Sequence, residues 1–413
     1  MPNSRNNNRL KQMAQSIGWP RLVGALGVAI IGGFLVFALA ASGVSRANNP
    51  QLALMLFPSE SVALAGQADQ IFFSAPEKKS GAAQELALAA VREQSINPKA
   101  IRLLGFIAEL NQQPTRAERL VTLSSRLSRR EPGAQFWLIE HKARNGSTAD
   151  TLRHYDALLR TQPASSAVLY PRLLNAIEDK DTRQNLAPYM RLNRSWMASF
   201  LNFALANSSN VSALNDLIVE NGGFPKTAFA QDQTKQLLAR LTTEKKFAEA
   251  QVLYLSLPSA KAERLLSAGF DRFDANAQFG ALGWVIADTA DAAFDVEPAA
   301  TAKRPMLSIR VAPVTTTMIA TKLLYLPPGD YRFAAQLARI DMTKNGTLLW
   351  QMRCATQNDP TVFWSVGALS KSVSSAFSVP ADCPVQMLEI VASGGDGQAG
   401  LEAVVSSVAI AGQ

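Results

Sequence analysis

Catalytic and metal-ligating side chains rarely occur in this sequence at the spacings that an active site or a metal centre requires. The 413 residues include two histidines, His141 and His154, so a multi-histidine metal centre cannot be assembled. The sequence also lacks a G-x-S-x-G nucleophile elbow, which would expose a reactive serine on a strand-to-helix turn. It therefore predicts no catalytic residue, no metal ligand and no cofactor, and a protein that is not an enzyme.

Four carboxylates follow a strand-like run over 284–287: Asp288, Asp291, Asp295 and Glu297. Side chains of this type bind calcium, or act as an acid and base pair in glycoside hydrolysis. The spacing lacks the glycine and the closing glutamate of an EF-hand. We expect a solvated loop over 288–297, and calcium binding and glycoside hydrolysis stay open as alternatives.

A glycine-rich segment, Gly395 to Gly400, matches the dinucleotide-binding pattern G-x-G-x-x-G. That pattern binds a dinucleotide only between a strand and a helix of a βαβ unit. Here strand-like runs lie on both sides, over 388–392 and 401–408. The context predicts a hairpin loop.

Aromatic side chains in the C-terminal third are candidates for stacking on the apolar faces of sugar rings. Trp350 alternates with Met352 and Cys354, which places all three on one face of a strand and predicts a core position. The candidate carbohydrate-binding residues are instead Trp364 and Tyr331, which lie near turns, with Trp284 as a third.

The two cysteines, Cys354 and Cys383, both lie in this C-terminal region. In an oxidising compartment they would pair, and closing a loop of this length stabilises a domain by about 3.5 kcal/mol in the chain-entropy model. Two buried free thiols remain the alternative, because sequence does not show that the Cβ atoms approach each other.

An uncharged run from Leu22 to Ser42 separates a basic tail from the rest of the chain. As a helix it would span roughly 31 Å, which matches the hydrocarbon core of a bilayer. The positive-inside rule then places residues 1–21 in the cytoplasm and everything after residue 42 in the periplasm, on an inner-membrane anchor. A signal peptide cleaved after Ala38-Leu39-Ala40 is the alternative.

Net charge argues against a nucleic-acid partner. The chain carries +8, and five basic residues precede the first acidic residue, Glu60: Arg5, Arg9, Lys11, Arg21 and Arg46. The remainder of the chain has no basic stripe with interleaved aromatics, which is the usual footprint of such proteins.

The residues after the predicted anchor, 43–413, show three successive patterns of hydrophobic periodicity. Residues 43–80 contain three prolines and no sustained period, which predicts a tether. Residues 81–271 have helical periodicity, and small or crowded positions recur 34 residues apart, the tetratricopeptide period: Ala83, Ala117 and Thr151, each followed four residues later by Ala87, Val121 and Tyr155. A helical bundle without repeats is the alternative.

Residues 272–413 alternate with period two in at least seven segments, which predicts a jelly-roll-like β-sandwich. The expected fold class is therefore multidomain α + β, with a transmembrane helix, a tetratricopeptide-like helical domain and a C-terminal sandwich.

The helical segments Ser128–Pro132, Phe136–Glu140 and His154–Asp156 and the C-terminal segments Leu326–Tyr331, Trp350–Cys354 and Cys383–Gln386 extend this pattern. Together they resemble membrane-anchored tetratricopeptide-like proteins associated with bacterial exopolysaccharide machinery. The resemblance implies a compartment and a pathway but transfers no active site. It implies a periplasmic scaffold that binds polysaccharide biosynthesis or export proteins, with polysaccharide as a further candidate ligand. A periplasmic chaperone or secretion partner and a glycan-acting enzyme are the alternatives.

Overall fold

The computed structural model describes residues 48–257, 260–270, 280–286, 292–297, 306–342, 345–357, 361–396 and 400–413. In these residues fourteen α-helices precede ten strands that form two antiparallel sheets, so the predicted α + β class is confirmed. The chain divides into two compact units between Ser165 and Ser166. Within the described ranges no helix is both long and apolar enough to cross a bilayer, and the predicted anchor over 22–42 lies outside them.

The first unit contains seven α-helices. They are α1 (Pro50–Leu56), α2 (Ser61–Ser74), α3 (Pro76–Glu93), α4 (Pro98–Leu110), α5 (Pro114–Leu127), α6 (Pro132–Arg144) and α7 (Thr148–Thr161). Five of them begin with proline, which suits the first helical position because its fixed φ is already helical and its missing N–H would have no partner there. The described part of the predicted tether over 43–80 is thus helical, because Pro50 and Pro76 begin helices. Its role as a tether stays a prediction.

The 34-residue spacing corresponds to a helix pair. Helices α4 and α6 begin 34 residues apart, and so do α5 and α7. Close packing within one pair depends on Gly105 of α4, where an added Cβ would lie 2.6 Å from Cγ2 of Val121 on α5. Ala117, also on α5, is fully buried. Membership of the tetratricopeptide family stays a prediction.

The second unit begins with seven further helices. They are α8 (Ser166–Ala176), α9 (Lys180–Arg191), α10 (Ser195–Asn207), α11 (Val211–Glu220), α12 (Ala230–Thr243), α13 (Phe247–Leu255) and α14 (Glu263–Leu266). Arg240 of α12 donates hydrogen bonds to the carbonyls of Leu205 and Ser208 at the end of α10, at 2.9 and 2.8 Å. These helices share a unit with the strands, so the predicted domain boundary at 271/272 does not coincide with the division of the chain.

The strands are β1 (Val285–Ile286), β2 (Ala292–Glu297), β3 (Met306–Val311), β4 (Thr316–Leu324), β5 (Gly329–Met342), β6 (Thr347–Cys354), β7 (Val362–Gly367), β8 (Ser372–Val379), β9 (Gln386–Ser393) and β10 (Leu401–Gly412). Sheet A has the order β1-β4-β9-β6-β7, and sheet B has the order β2-β3-β10-β5-β8. Alternate residues of the strands are buried, as in β6, and form one apolar core that includes the fully buried Phe333 and Trp350. A sandwich-like C-terminal region follows from this pattern.

The glycine-rich segment after β9 is not the predicted hairpin loop, because β9 belongs to sheet A and β10 to sheet B. The chain crosses between sheets here and passes close to the end of β3. A Cβ at Gly394 would collide with the carbonyl oxygen of Ala312, and one at Gly400, where φ is +71°, would collide with that of Val311. Glycine is required by this close approach and not by a phosphate.

Candidate functional site

A cavity of about 320 Å³ lies in the second unit, between the turn that joins α12 to α13 and one end of sheet A. Its volume is at the lower end of the range for small-molecule sites. Both polar and apolar side chains line it. They are Thr242, Thr243, Lys245, Phe247, Ala281, Thr321, Lys322, Leu323, Arg353, Ala355, Gln357 and Met387.

The helical wall of the cavity is the end of α12 and the turn after it. Lys245 has a φ of +56°, and its backbone N–H donates to the Thr242 carbonyl at 3.2 Å, which ends the helix. Glycine is the usual residue for this left-handed position, since a side chain there costs conformational energy. Lys245 lines the cavity, and its ammonium donates to the Gln357 carbonyl at 2.8 Å.

The sheet wall is formed by neighbouring residues on β4, β9 and β6. Leu323 pairs with Met387, and Met387 pairs with Arg353 on its other side, so these three lining residues form one row across the sheet. The adjacent row carries Thr321, which pairs with Glu389. This wall of the cavity thus combines Thr321 and Arg353 with the apolar side chains of Leu323 and Met387.

Glu389 orients the basic residue of this wall. Its carboxylate accepts hydrogen bonds from Arg353 Nε at 3.0 Å and from Gln351 Nε2 at 2.5 Å. Glu389 is buried, and a buried charge of this kind is tolerated when it is paired and hydrogen-bonded. The pair holds the Arg353 side chain at the cavity wall.

The segment that closes the cavity on this side is fixed by a disulfide. Cys354 at the end of β6 is bonded to Cys383, with their Cα atoms 5.4 Å apart, so the predicted crosslink is confirmed and the free-thiol alternative is wrong. Ala355, the next residue, donates its N–H to the Val385 carbonyl at 2.9 Å. The disulfide and this hydrogen bond therefore fix the segment that carries the cavity residues Ala355 and Gln357.

The helical wall and the sheet wall are joined by Tyr325, which follows β4. Its hydroxyl donates to the Phe247 carbonyl at 2.9 Å, and its backbone N–H donates to the Leu265 carbonyl at 2.8 Å. Burial of the Tyr325 ring raises the pKa of the phenol well above its usual value. The hydroxyl consequently acts as a neutral donor at any physiological pH.

Three basic residues line the cavity, Lys245, Lys322 and Arg353, and the described lining residues include no carboxylate. Hydroxyls of Thr242, Thr243 and Thr321 and the apolar surfaces of Phe247 and Met387 complete the lining. This arrangement of polar and apolar side chains can bind a hydroxyl-rich ligand.

None of the three predicted carbohydrate-binding aromatics lines the cavity, and two of them, Trp364 and Tyr331, pack on the same ring, Phe377. Trp364 is 8% exposed, packs against Phe333 and Phe377, and donates its Nε1–H to Ser375 Oγ at 3.2 Å. Tyr331 stacks on Phe377 with its hydroxyl on the Pro327 carbonyl at 2.9 Å.

Trp284 packs against Phe270 and donates to the Ala268 carbonyl at 3.2 Å. All three rings thus lie in or against the sandwich core. Their carbohydrate-binding role stays a prediction.

The predicted acidic loop is only partly within the described residues. Asp288 and Asp291 lie outside them, whereas Asp295 and Glu297 belong to β2, which pairs along its length with β3. A loop over the whole of 288–297 is therefore wrong. Among the residues that the structure describes, no group of three His, Cys, Asp or Glu side chains is placed to hold a metal ion.

The two histidines lie in the first unit. His154 Nδ1 is 2.7 Å from Oε1 of the buried Gln135, and His141 stacks on Trp137 with ring centroids 4.5 Å apart. Neither lies within the cavity of the second unit.

No protein-family model and no curated protein sequence matches the chain. Solved structures with some likeness include TmCBM61 in complex with β-1,4-galactotriose, at 11% identity over 32% of this chain and 88% of that chain, with a TM-score of 0.22. A CBM22-1 xylan-binding domain from Paenibacillus barcinonensis Xyn10C has 12% identity over 35% of this chain and 92% of its own, with a TM-score of 0.25.

A third likeness is to tailspike protein 4 of Bacteriophage CBA120, at 11% identity over 32% of this chain and 19% of that chain, with a TM-score of 0.23. At scores this low, the likeness supports no conclusion about what this chain binds.

Proposed function

We propose that this chain is a non-enzymatic binding scaffold whose second unit takes part of a polysaccharide into the cavity beside Lys245. The cavity itself carries the proposal. Its lining combines threonine side chains, basic side chains and the apolar surfaces of Phe247 and Met387, a mixture that suits the hydroxyls and the C–H faces of a saccharide.

The helices of the first unit supply a second kind of surface, and we assign protein partners to them. Large apolar side chains are exposed there, including Met55 at 80%, Phe73 at 60% and Ile96 at 63%. Exposed apolar side chains of this kind are suited to binding partner proteins. Envelope polysaccharide biosynthesis or export proteins are the partners that the sequence resemblance implies. A periplasmic chaperone would use the same surface without needing the cavity.

The test of the glycan role is a binding measurement on the full chain, purified in detergent, against a panel of neutral and acidic polysaccharides. Thr321→Val removes one cavity hydroxyl while keeping the shape of the side chain. It should weaken binding about fivefold, the value of one hydrogen bond. Thr347→Val is the matched control. Thr347 is an exposed residue of sheet A, at the opposite end of β6 from the cavity residue Arg353.

Three results would contradict the proposal. Absence of binding to every polymer in the panel would leave protein partners as the ligands, and release of reducing ends during the assay would identify a glycan-acting enzyme. Equal effects of the two threonine substitutions would place the binding surface elsewhere on the chain.

We further propose an inner-membrane location with the bulk of the chain in the periplasm. The uncharged run over 22–42 and the disulfide, which persists in an oxidising compartment, both favour it. A reporter that is active only outside the cytoplasm, fused after Gln413, should be active, and the chain should sediment with membranes. An inactive reporter would overturn the location, whereas a soluble and shortened product would overturn only the retained anchor.

A further inference from the structure

We infer that strand β8 is a docking edge for a second copy of this chain, and that two copies pair their β8 strands antiparallel about a two-fold axis at Ala376. The inference is independent of the proposed glycan binding, because β8 belongs to sheet B and none of its residues lines the cavity. It is carried by an open strand edge without protection and by the charges at the two ends of that edge.

The pairing of β8 leaves one side of the strand open. Among the residues that the structure describes, β5 is the one strand that pairs with it. The Lys371 carbonyl accepts from the Leu337 N–H of β5 at 2.8 Å, so the odd-numbered residues direct their backbone groups towards β5. In an antiparallel ladder the even-numbered residues then direct theirs away. These residues are Ser372, Ser374, Ala376 and Ser378.

Neighbouring groups do not block this open edge. The Ser372 carbonyl accepts from Ser370 Oγ at 2.7 Å. The Ala376 carbonyl accepts from Ser375 Oγ at 3.3 Å. A carbonyl oxygen has two acceptor sites, so each of these can accept a further hydrogen bond from another strand. No other described backbone group bonds to the edge, which therefore offers N–H and C=O groups to an added strand.

Protection of the sheet edges differs from strand to strand. Natural proteins protect an edge with short strands, charged side chains, prolines or bulges, because an open edge is a template for pairing with another chain. Among the described edge strands, β1 has two residues, β2 carries Asp295 and Glu297, and the pairing of β7 with β6 contains a register shift. Strand β8 has eight residues without a charge, a proline or a register shift. It is thus the edge to which another strand can be added.

Two β8 strands fit each other in an antiparallel register centred on Ala376. Ala376 then lies opposite Ala376 of the second copy, Ser374 opposite Ser378, and Val373 opposite Val379. Even-numbered residues meet even-numbered ones, so the open backbone groups of both strands form hydrogen bonds. Because exposed and buried residues alternate along β8, this register also keeps the valines on the core side of the sheet and the small side chains on its outer side.

Charges at the ends of β8 favour a second copy over an unrelated strand. Lys371 precedes the strand, and Asp382 follows it by three residues; both are exposed, and neither makes an ion pair with another described residue. In the register centred on Ala376, Lys371 lies opposite Ala381 of the second copy and therefore beside its Asp382. The two-fold axis repeats this contact, so an opposite-charge pair flanks each end of an uncharged strand pair. Such pairs determine register and the choice of partner.

The experiment places charges at the two-fold axis of the full chain, purified in detergent and measured by sedimentation at increasing concentration. The unsubstituted chain should form a dimer with twice the mass of one chain. Ala376→Lys and Ala376→Glu should each be monomeric, because like charges then lie directly opposite each other. An equimolar mixture of the two variants should restore the dimer. The matched control, Ala409→Lys, changes an exposed alanine of sheet B that β5 separates from β8, and it should stay dimeric.

Cysteine cross-linking tests the register. Oxidation should join two copies of Ala376→Cys, because residues directly opposite in an antiparallel pair have Cα atoms within the range of a disulfide. Ser378→Cys, on the same exposed face of β8, should not cross-link, because it lies opposite Ser374 of the second copy.

Three outcomes would overturn the inference. A full chain that is monomeric at every concentration would exclude a second copy as the occupant of this edge. A dimer that persists in both charged variants would place the interface elsewhere on the chain. Cross-linking of Ser378→Cys in preference to Ala376→Cys would overturn the register and its two-fold axis.

Discussion

Single residues in the first unit show where the helices tolerate no extra atom. Gly105 on α4 lies so close to α5 that a Cβ would overlap Val121, whereas Gly81 on α3 has nothing within 4 Å of an added Cβ. Small residues at such positions let adjacent helices approach each other. This close approach explains why small residues recur in the sequence 34 residues apart.

Substitution at these two glycines should therefore have opposite effects. Gly105→Ala should lower the free energy of unfolding by about 1–3 kcal/mol through overpacking. Gly81→Ala, in an exposed helix interior, should raise it by up to about 1 kcal/mol, because alanine restricts the unfolded chain. Urea titration of both variants measures this, and equal destabilisation by the two would contradict the close α4–α5 contact.

His154 is a second residue with a measurable consequence. Burial lowers its pKa to about 4, and the charge of Arg153 adds to the shift. Because the folded-state pKa is below the usual value of 6.5, the unfolded chain binds more protons between these two values. The contribution of His154 to stability is thus complete above about pH 6.5 and is lost as the pH falls towards 4.

The prediction is a loss of stability of the first unit on acidification over that window. His154→Gln, which does not titrate but can still face Gln135, should flatten the decline relative to the unsubstituted protein. Urea unfolding at a series of pH values measures it. An identical slope for both proteins would show that His154 is accessible to protonation in the folded state.

At the scale of elements, the sequence predicts helices but does not predict the ion pairs that connect them. Arg102 on α4 is buried and makes ion pairs with Asp69 on α2 and with Glu131, the residue before α6, at 2.5 and 2.8 Å. Gly133 leaves space for this side chain, since a Cβ there would lie 2.6 Å from Arg102 Cδ. Sequence spacing predicts α4 and α6 as equivalent helices but does not show that one arginine connects them.

The prolines explain why the sequence does not predict the helices before residue 81. Pro50 and Pro76 break any apolar period when read as loop residues, yet each begins a helix, as Pro98, Pro114 and Pro132 also do. Proline signals both a turn and a first helical position, and only the packing of the residues after it decides between them. In the sandwich, the period of two predicted strands correctly, because it depends on burial of one face.

The disulfide acts at the same scale, because it joins the end of β6 to the segment before β9. Replacing both cysteines with serine should lower the free energy of unfolding of the second unit by roughly 3.5 kcal/mol in the chain-entropy model. It should also weaken glycan binding, since Ala355 and Gln357 of the cavity directly follow Cys354. Mass spectrometry under non-reducing conditions and urea unfolding test it. Unchanged stability would show that the hydrogen bonds of Ala355 and Gln386 are sufficient to hold this segment.

At the scale of the whole molecule, the cavity could not be predicted because its residues come from distant parts of the chain. Lys245 precedes Arg353 by more than a hundred residues, and Met387 follows Arg353 by a further 34. The three residues meet only through the packing of α12 and α13 on sheet A. Trp364 and Tyr331 were predicted to bind carbohydrate because they lie near turns in the sequence. The same rings fill the space between the sheets, because a sandwich of this size needs large side chains in its core.

The place at which the chain divides into units also differs between the sequence prediction and the structure. Its apolar core includes Ala268 and Phe270, which precede the expected boundary at 272. Tyr325 bonds to the carbonyls of Phe247 and Leu265 on the preceding helices, and the chain divides at 165/166 instead.

A fragment of residues 166–413 should therefore unfold in one cooperative transition and keep the near-ultraviolet dichroism of buried tryptophans. A fragment of 272–413 should be less stable by about 3–5 kcal/mol or fail to fold, since it loses the burial of Phe270 and both partners of Tyr325. Calorimetry of the two fragments, with Tyr325→Phe in the longer one as a measure of a single lost bond, decides between the boundaries. If residues 272–413 melted at the same temperature as residues 166–413, the sandwich would be an autonomous domain and the helices before it would contribute only the wall of the cavity.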